Sequence, residues 1–179
     1  MSQWRRLRRL GVLFVIGVGL LGARDRTAPP APPSATGPQE VAVIGLLVDE
    51  RTHAPTIVLQ GKRDRRTFAM VIGPAEAGGI ALPLQNVMPP RPLTHDLFLT
   101  LFGRLHVTVT KAVITDLRDN TYYATLHLSA SGAAMELDSR PSDAIALAIR
   151  AKAPVFAEDR VFEKSEQITP NPSGTGPRI

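Results

Sequence analysis

The segment PSDAIALAIRAK, residues 141–152, narrows the choice of fold more than any other stretch of the chain. Its apolar side chains fall nearly all round a helical wheel, so a helix here has to be buried. The start of that helix is written in polar residues. Pro141 suits a first turn and Ser142 can cap it. A carboxylate at Asp143 is favoured there by the helix dipole, by about 0.3–1 kcal/mol. The preceding run, AAMELDS (133–139), alternates as a strand does. A two-residue period sends Met135 and Leu137 to the core and puts Glu136, Asp138 and Arg140 on the opposite face.

The rest of the pattern is mixed. VAVIGLLVDE (41–50), PTIVLQG (55–61) and TFAMVIG (67–73) read as strands, with KRDRR (62–66) as a charged turn. PAEAGGIAL (74–82) reads as a short helix with Pro74 in its first turn; its Gly pair and the following Pro83 count against length. In RPLTHDLFLTLFGRL (91–105), Thr94 is a suitable N-cap. Leu97, Phe98, Leu101, Phe102 and Leu105 then form one apolar stripe at helical spacing, the pattern of a helix laid on a core. HVTVTKAVITDL (106–117) and TYYATLHLSA (121–130) are strands on either side of a tight turn. PVFA (154–157) is a short strand, and EDRVFEKSE (158–166) a last helix. Strands and helices come in clusters rather than in strict alternation. That predicts a single α+β domain, with a mainly antiparallel or mixed sheet packed against a few helices.

Charge divides the chain. The formal net charge is +5, yet residues 1–26 hold six arginines against one acid, and the remainder balances at 15 bases and 15 acids. The basic character is a property of the N-terminus and not of a nucleic-acid-binding domain. WRRLRRL followed by GVLFVIGVGLLGA has the proportions of a signal peptide or signal anchor over residues 1–26. The apolar part is short of the roughly 20 residues a spanning helix needs, so membrane contact, if the segment is retained, is confined to residues 10–22. Residues 27–39 are a Pro/Ala-rich linker, 40–166 the domain, and 167–179 a tail expected to lack structure. The expected location is the cell envelope, exported or anchored, with the body outside the cytoplasmic membrane. The absence of cysteine excludes disulfides, thiolate catalysis and Cys-based zinc sites.

Two clusters carry chemistry. The first is Asp138, Arg140, Ser142 and Asp143; the second is His95 with Asp96 in the first turn of its helix. Each has a plain structural explanation: an exposed ion pair, a helix start, a satisfied histidine at the edge of a core. Each also has a functional one, since a carboxylate beside an imidazole can transfer protons or hold a metal. Glu76, at the start of its helix, is a third acidic candidate. His95-Asp96 is also the dipeptide of the all-helical HD phosphohydrolases, but here the other histidines fall in loops and strands, which excludes that scheme. No Gly-rich phosphate loop, His-x-x-x-His pair or Gly-x-Ser-x-Gly elbow is present. Lys62, Arg63, Arg65 and Arg66 make one basic turn that can be solvated or can touch phosphates.

TFAMVIGPAEAGGI, RPLTHDL, VITDLRDNTYYATL and ELDSRPSDAIALAIRAKAPVF, in that order, closely resemble the bifunctional nuclease domain family. The likeness covers about residues 41–164. It implies an α+β domain that forms homo-oligomers and acts on RNA and DNA. It places the family's polar signature on Glu76, Arg91, Thr94, His95, Asp96, Asp138, Arg140, Ser142 and Asp143. Leu105-His106 and Asp119-Asn120 stand where the family often has Leu-Gly and Asp-Gly. On this basis one expectation is a nuclease. Asp96, Asp138, Asp143 and Glu76 would hold a divalent ion such as Mg²⁺ or Mn²⁺, and His95 would act as general acid or base. Arg140 would clamp phosphate, with Arg91, Thr94 and Ser142 binding substrate. The alternative is a non-enzymatic, oligomeric binding or assembly module of the cell envelope, in which Arg140 bridges Asp96 and Asp143 in a structural network.

The topology expectation is directly testable: alkaline phosphatase fused after Gln39 is active in cells, whereas an inactive fusion would place the body in the cytoplasm.

Overall fold

A computed structural model describes residues 37–49 and 51–166; the expected leader, most of the linker and the tail lie outside them. Eleven elements follow one another along the described chain. They are β1 (Gln39–Val48), β2 (Pro55–Gly61), β3 (Thr67–Val71), α1 (Pro74–Leu84), α2 (Thr94–Arg104), β4 (Val107–Arg118), β5 (Thr121–Ala130), β6 (Ala133–Ser139), α3 (Pro141–Ala151), β7 (Val155–Ala157) and α4 (Asp159–Lys164). The fold is α+β, with one seven-stranded mixed sheet in the order β3-β2-β1-β7-β4-β5-β6.

The sheet consists of two antiparallel meanders joined by a three-residue strand. β7 runs antiparallel to β1 and parallel to β4, and every other pairing is antiparallel. Hairpin turns follow the residues that tolerate a left-handed backbone. Asp119 and Asn120 both have positive φ, as do Ser131 and Gly132, which matches the twist of two-residue hairpins. His106 and Asn120, the departures from glycine, stand at φ of 56° and 60°. That is the region glycine enters without strain.

α3 is the buried helix that its composition demands. Ala144, Ile145, Ala146 and Ala148 have no solvent exposure, and they join one continuous core with Ile114, Leu126, Val161 and Phe162. Tyr122 on β5 donates from its hydroxyl to the Ala69 carbonyl on β3 at 3.0 Å, and its ring stacks on Phe68. Two strands five places apart in the sheet therefore touch, so the sheet curls strongly around this core.

Three local expectations are corrected. Thr94 does not cap α2: Leu93 holds that position, and the Asp96 carboxylate accepts the Leu93 N–H at 2.8 Å. The expected core stripe of α2 is not core. Leu97, Phe98, Leu101 and Leu105 are exposed, and only Leu99 and Phe102 pack on the interior. Met135 and Leu137 on β6 sit opposite the buried Leu128 and Leu126 but are exposed themselves, because β6 is an edge strand beyond the helical cover. Pro83, conversely, does not shorten α1, which continues to Leu84. Among the described residues no helix is long and apolar enough to cross a membrane.

Candidate active site

The site is set up by a residue that the sequence did not single out. Arg150, in the last turn of α3, is a cation with only 8% of its side chain exposed. Its Nε donates to Asp96 Oδ1 at 2.8 Å, and its Nη1 donates to the carbonyls of Gly79 on α1 and Ala146 on α3. The Gly79 carbonyl is available for a chemical reason. Its helical partner would be the N–H of residue 83, and Pro83 has none. One guanidinium thus satisfies an orphaned carbonyl on α1 and a carboxylate on α2. Burial pushes the Asp96 carboxyl up, but the Leu93 N–H and the Arg150 guanidinium outweigh it and hold it below the usual carboxylate range.

With the three helices so fixed, their N-terminal turns open onto one cleft of about 500 Å³. Glu76 from α1, His95 from α2, and Arg140 and Asp143 from the start of α3 line its polar side; Phe98, Phe102, Leu126, Leu137 and Leu147 line its apolar side. His95 Nε2 lies 3.4 Å from Asp143 Oδ1. Arg140 Nε donates to Asp143 Oδ2 at 2.7 Å, and its Nη2 reaches Asp143 Oδ1 at 3.2 Å and Glu76 Oε1 at 2.8 Å. Its bonds to Asp143, and then to Glu76, raise its pKa further above the ordinary arginine value, so it is a fixed positive charge. Nη1 has no partner among the described residues, and the side chain is 66% exposed.

Two glycines make this arrangement possible. A Cβ on Gly79 would stand 2.8 Å from His95 Cε1, so the imidazole lies directly against bare backbone. A Cβ on Gly73 would stand 2.1 Å from Glu76 Oε2. Of the Gly pair that lowers helix propensity in α1, Gly79 is thus a packing requirement of His95, whereas a Cβ on Gly78 would meet open space.

The expected site residues divide accordingly. Glu76, His95, Arg140 and Asp143 come together, and Thr94 lines the same cleft. Asp96 is committed to Arg150 and the cap of α2. Asp138 pairs in register with Thr125, on the face where Glu136 meets His127, and points away from the cleft. Arg140 does not share that face, since it is the cap residue at which the chain turns into α3. It bridges Glu76 and Asp143 rather than Asp96 and Asp143. Arg91 is exposed in the loop before α2 and does not line the cleft, and Ser142 is buried on the other side of Arg140. The four carboxylates therefore do not form one cage: among the described residues no three potential ligands stand together for a metal ion. Three of the four cations of the basic turn are already paired, Lys62 with Glu40, Arg66 with Asp64, and Arg63 and Arg66 with Asp159.

The sequence profile of the bifunctional nuclease domain matches residues 57–170, from β2 to beyond α4. The chain belongs to the bifunctional nuclease domain family. An uncharacterised protein of Mycobacterium tuberculosis (strain H37Rv) is 35% identical over 134 residues, covering 75% of this chain and 80% of that protein. Bifunctional nuclease 1 of Oryza sativa subsp. japonica is 32% identical over 95 residues, covering 50% of this chain and 29% of its own length. All four cleft residues lie inside the profile match.

Two variants test this geometry. Gly79→Ala favours the helix by about 1 kcal/mol in propensity but drives a methyl into His95. The fold is retained, and the imidazole is pushed off Asp143, read as a displaced His95 Nε2 resonance relative to wild type at one fixed pH. Asp96→Asn removes the counter-charge of buried Arg150 and lowers Tm at pH 7 by about 5 °C. Because the folded Asp96 pKa is depressed, its contribution is complete above the unfolded value of about 3.9 and is lost as pH falls through the folded value. The difference in Tm between wild type and Asp96→Asn therefore closes in acid; a constant difference would refute the pairing.

Proposed function

We propose that the chain is a nuclease that hydrolyses phosphodiester bonds of RNA or DNA in the cleft between the N-termini of α1, α2 and α3. The observation that carries this reading is the convergence of His95, Asp143, Arg140 and Glu76 in one open cleft of a bifunctional nuclease domain. In this reading His95 transfers the proton of the attacking or leaving oxygen, and Asp143 orients its ring. Arg140 meets a phosphate oxygen through its free Nη1, while Glu76 and Asp143 hold the guanidinium in place.

The charge balance of the rim supports a divalent cation such as Mg²⁺ or Mn²⁺. Two carboxylates against one guanidinium leave −1 with neutral imidazole, which repels a phosphate diester. Mg²⁺ commonly takes only one or two carboxylates and completes its shell with water and phosphate oxygens. Glu76 and Asp143 would hold it only by giving up part of their contact with Arg140, and the ion would supply charge neutralisation. The reading further places the body outside the cytoplasmic membrane. It also joins copies of the chain through the exposed leucines of α2, Leu97, Leu101 and Leu105.

One observation favours a second reading. Three bonds from Arg140 already go to carboxylates, as in a structural network of an assembly module of the envelope. Cleavage of single-stranded RNA and DNA with Mg²⁺, with Mn²⁺ and with chelator separates the two. His95→Ala and Arg140→Ala each lose about 100-fold or more in kcat under the nuclease reading, while Asp138→Ala stays within threefold of wild type. Equal rates in all four proteins would move the site elsewhere. No cleavage by any, with a lowered Tm for Arg140→Ala, would support assembly.

A further inference from the structure

The apolar half of the main cleft takes no part in proton transfer or phosphate contact, yet it holds two kinds of group that a fold ordinarily hides. The first is apolar. Phe98 and Leu137 line the cleft but keep 46% and 47% of their surface exposed. His95, Phe98 and Phe102 stand three and four residues apart, so one stripe of α2 carries the imidazole and both rings into the cleft. The two rings meet edge to face, at 6.1 Å and 62°, so Phe102 does not lie flat on Phe98.

The second is polar. Ser139, the last residue of β6, lies on the cleft face of the sheet, since it pairs with Ala124 as Leu137 pairs with Leu126. It lines the cleft, and its Oγ is buried with no hydrogen-bond partner among the described residues. A buried hydroxyl without a partner is unfavourable, and alanine in its place would relieve the fold. Gln39 Oε1 is in the same state, but it packs against Gly61 and lies outside the cleft. Ser139 also stands at a boundary. Arg140 precedes it from the polar rim with an open Nη1, and Leu137 and Phe98 follow on the apolar wall. A cation, a neutral hydroxyl and an aromatic-lined apolar wall thus succeed one another, in the order in which a nucleotide presents phosphate, sugar and base.

We infer that the apolar half of the cleft is a nucleoside subsite: a base stacks on Phe98 over the Leu137 wall, and the Ser139 hydroxyl, turning about χ1, bonds the 2′-hydroxyl of the attached ribose. The inference rests on the nuclease reading for the class of ligand. Stacking accepts any base, because every base has a π-face. The sugar contact is selective, because the 2′-hydroxyl is the group that distinguishes RNA from DNA. Phe98 therefore sets affinity for both nucleic acids, and Ser139 sets the preference between them.

The test uses the full chain, with the 3′- and 5′-monophosphates of adenosine and of 2′-deoxyadenosine as probes. Calorimetry shows that the wild type binds one adenosine monophosphate about fivefold tighter than its deoxy counterpart. Ser139→Ala loses that preference, and its Tm equals or exceeds that of the wild type. Phe98→Ala, at an exposed position, weakens the ribo and deoxy forms alike by about tenfold. Nucleotide binding that is absent, or equal in all three proteins, overturns the subsite. So does a ribose preference that survives in Ser139→Ala, or a lowered Tm for that variant, which would give the hydroxyl a partner in the fold. Ser139-dependent nucleotide binding without cleavage of RNA or DNA keeps the subsite and rejects the nuclease reading. His95-dependent cleavage by a protein whose nucleotide binding ignores Phe98 and Ser139 does the reverse.

Discussion

Arg150 is the interaction on which the rest of the structure depends. A guanidinium buried to this extent is stable only when its donors are matched, and removing a partner from a buried pair is strongly unfavourable. Its acceptors come from three helices: Gly79 on α1, Asp96 on α2 and Ala146 on its own α3. The pieces are mutually dependent. Pro83 frees the carbonyl, Gly79 lets α2 come close, and Asp96 serves both as the start of α2 and as the counter-ion. The result is that three helix N-termini, each carrying one cleft residue or more, are held in a fixed relation by a cation shut away from solvent.

That arrangement explains why His95-Asp96, adjacent in sequence, do different work. Successive helical residues are about 100° apart on the wheel, so one can face the cleft while the other faces the interior. His95 takes the cleft side, against Gly79 and Asp143. Asp96 takes the Arg150 side. Glu76, His95, Arg140 and Asp143 thus form one network, centred on Arg140, and Asp96 belongs to a second, centred on Arg150.

Much of the fold was legible because its strongest signals are local. The apolar composition of 141–152 required a buried helix, and the strands at 55–61, 121–130 and 133–139 follow their alternation and turn residues residue for residue. What failed is instructive. An apolar stripe fixes a helix, but not what covers it. The Leu97–Leu105 row has the right period for a core and yet faces outward. Alternation fixes the two faces of β6, but not that it is an edge strand, so Met135 and Leu137 point to the proper side without being buried. In the site, the same alternation ends at Ser139. Carried one residue further, it puts Arg140 beside Asp138, whereas the turn into α3 brings it over to Glu76 and Asp143. Arg150 was passed over because a basic residue in a last helical turn is ordinary dipole chemistry. The available clue was composition: a lone arginine on an otherwise apolar helix has to find a partner inside.

The contrast between the two arginines then bears on function. Arg150 has its counter-charge and its carbonyls, and is shut away from solvent. Arg140 has two carboxylates but is largely exposed, with one nitrogen left open. Exposed pairs contribute little to stability, so the two ion pairs that hold Arg140 at the mouth of the cleft add little to the fold. Two acceptors hold it in one orientation while its remaining donor faces solvent, which is the arrangement expected of a group that meets an anion. The exposure of Arg140, more than the presence of His95, is what favours the proposed nuclease over a helix-start network.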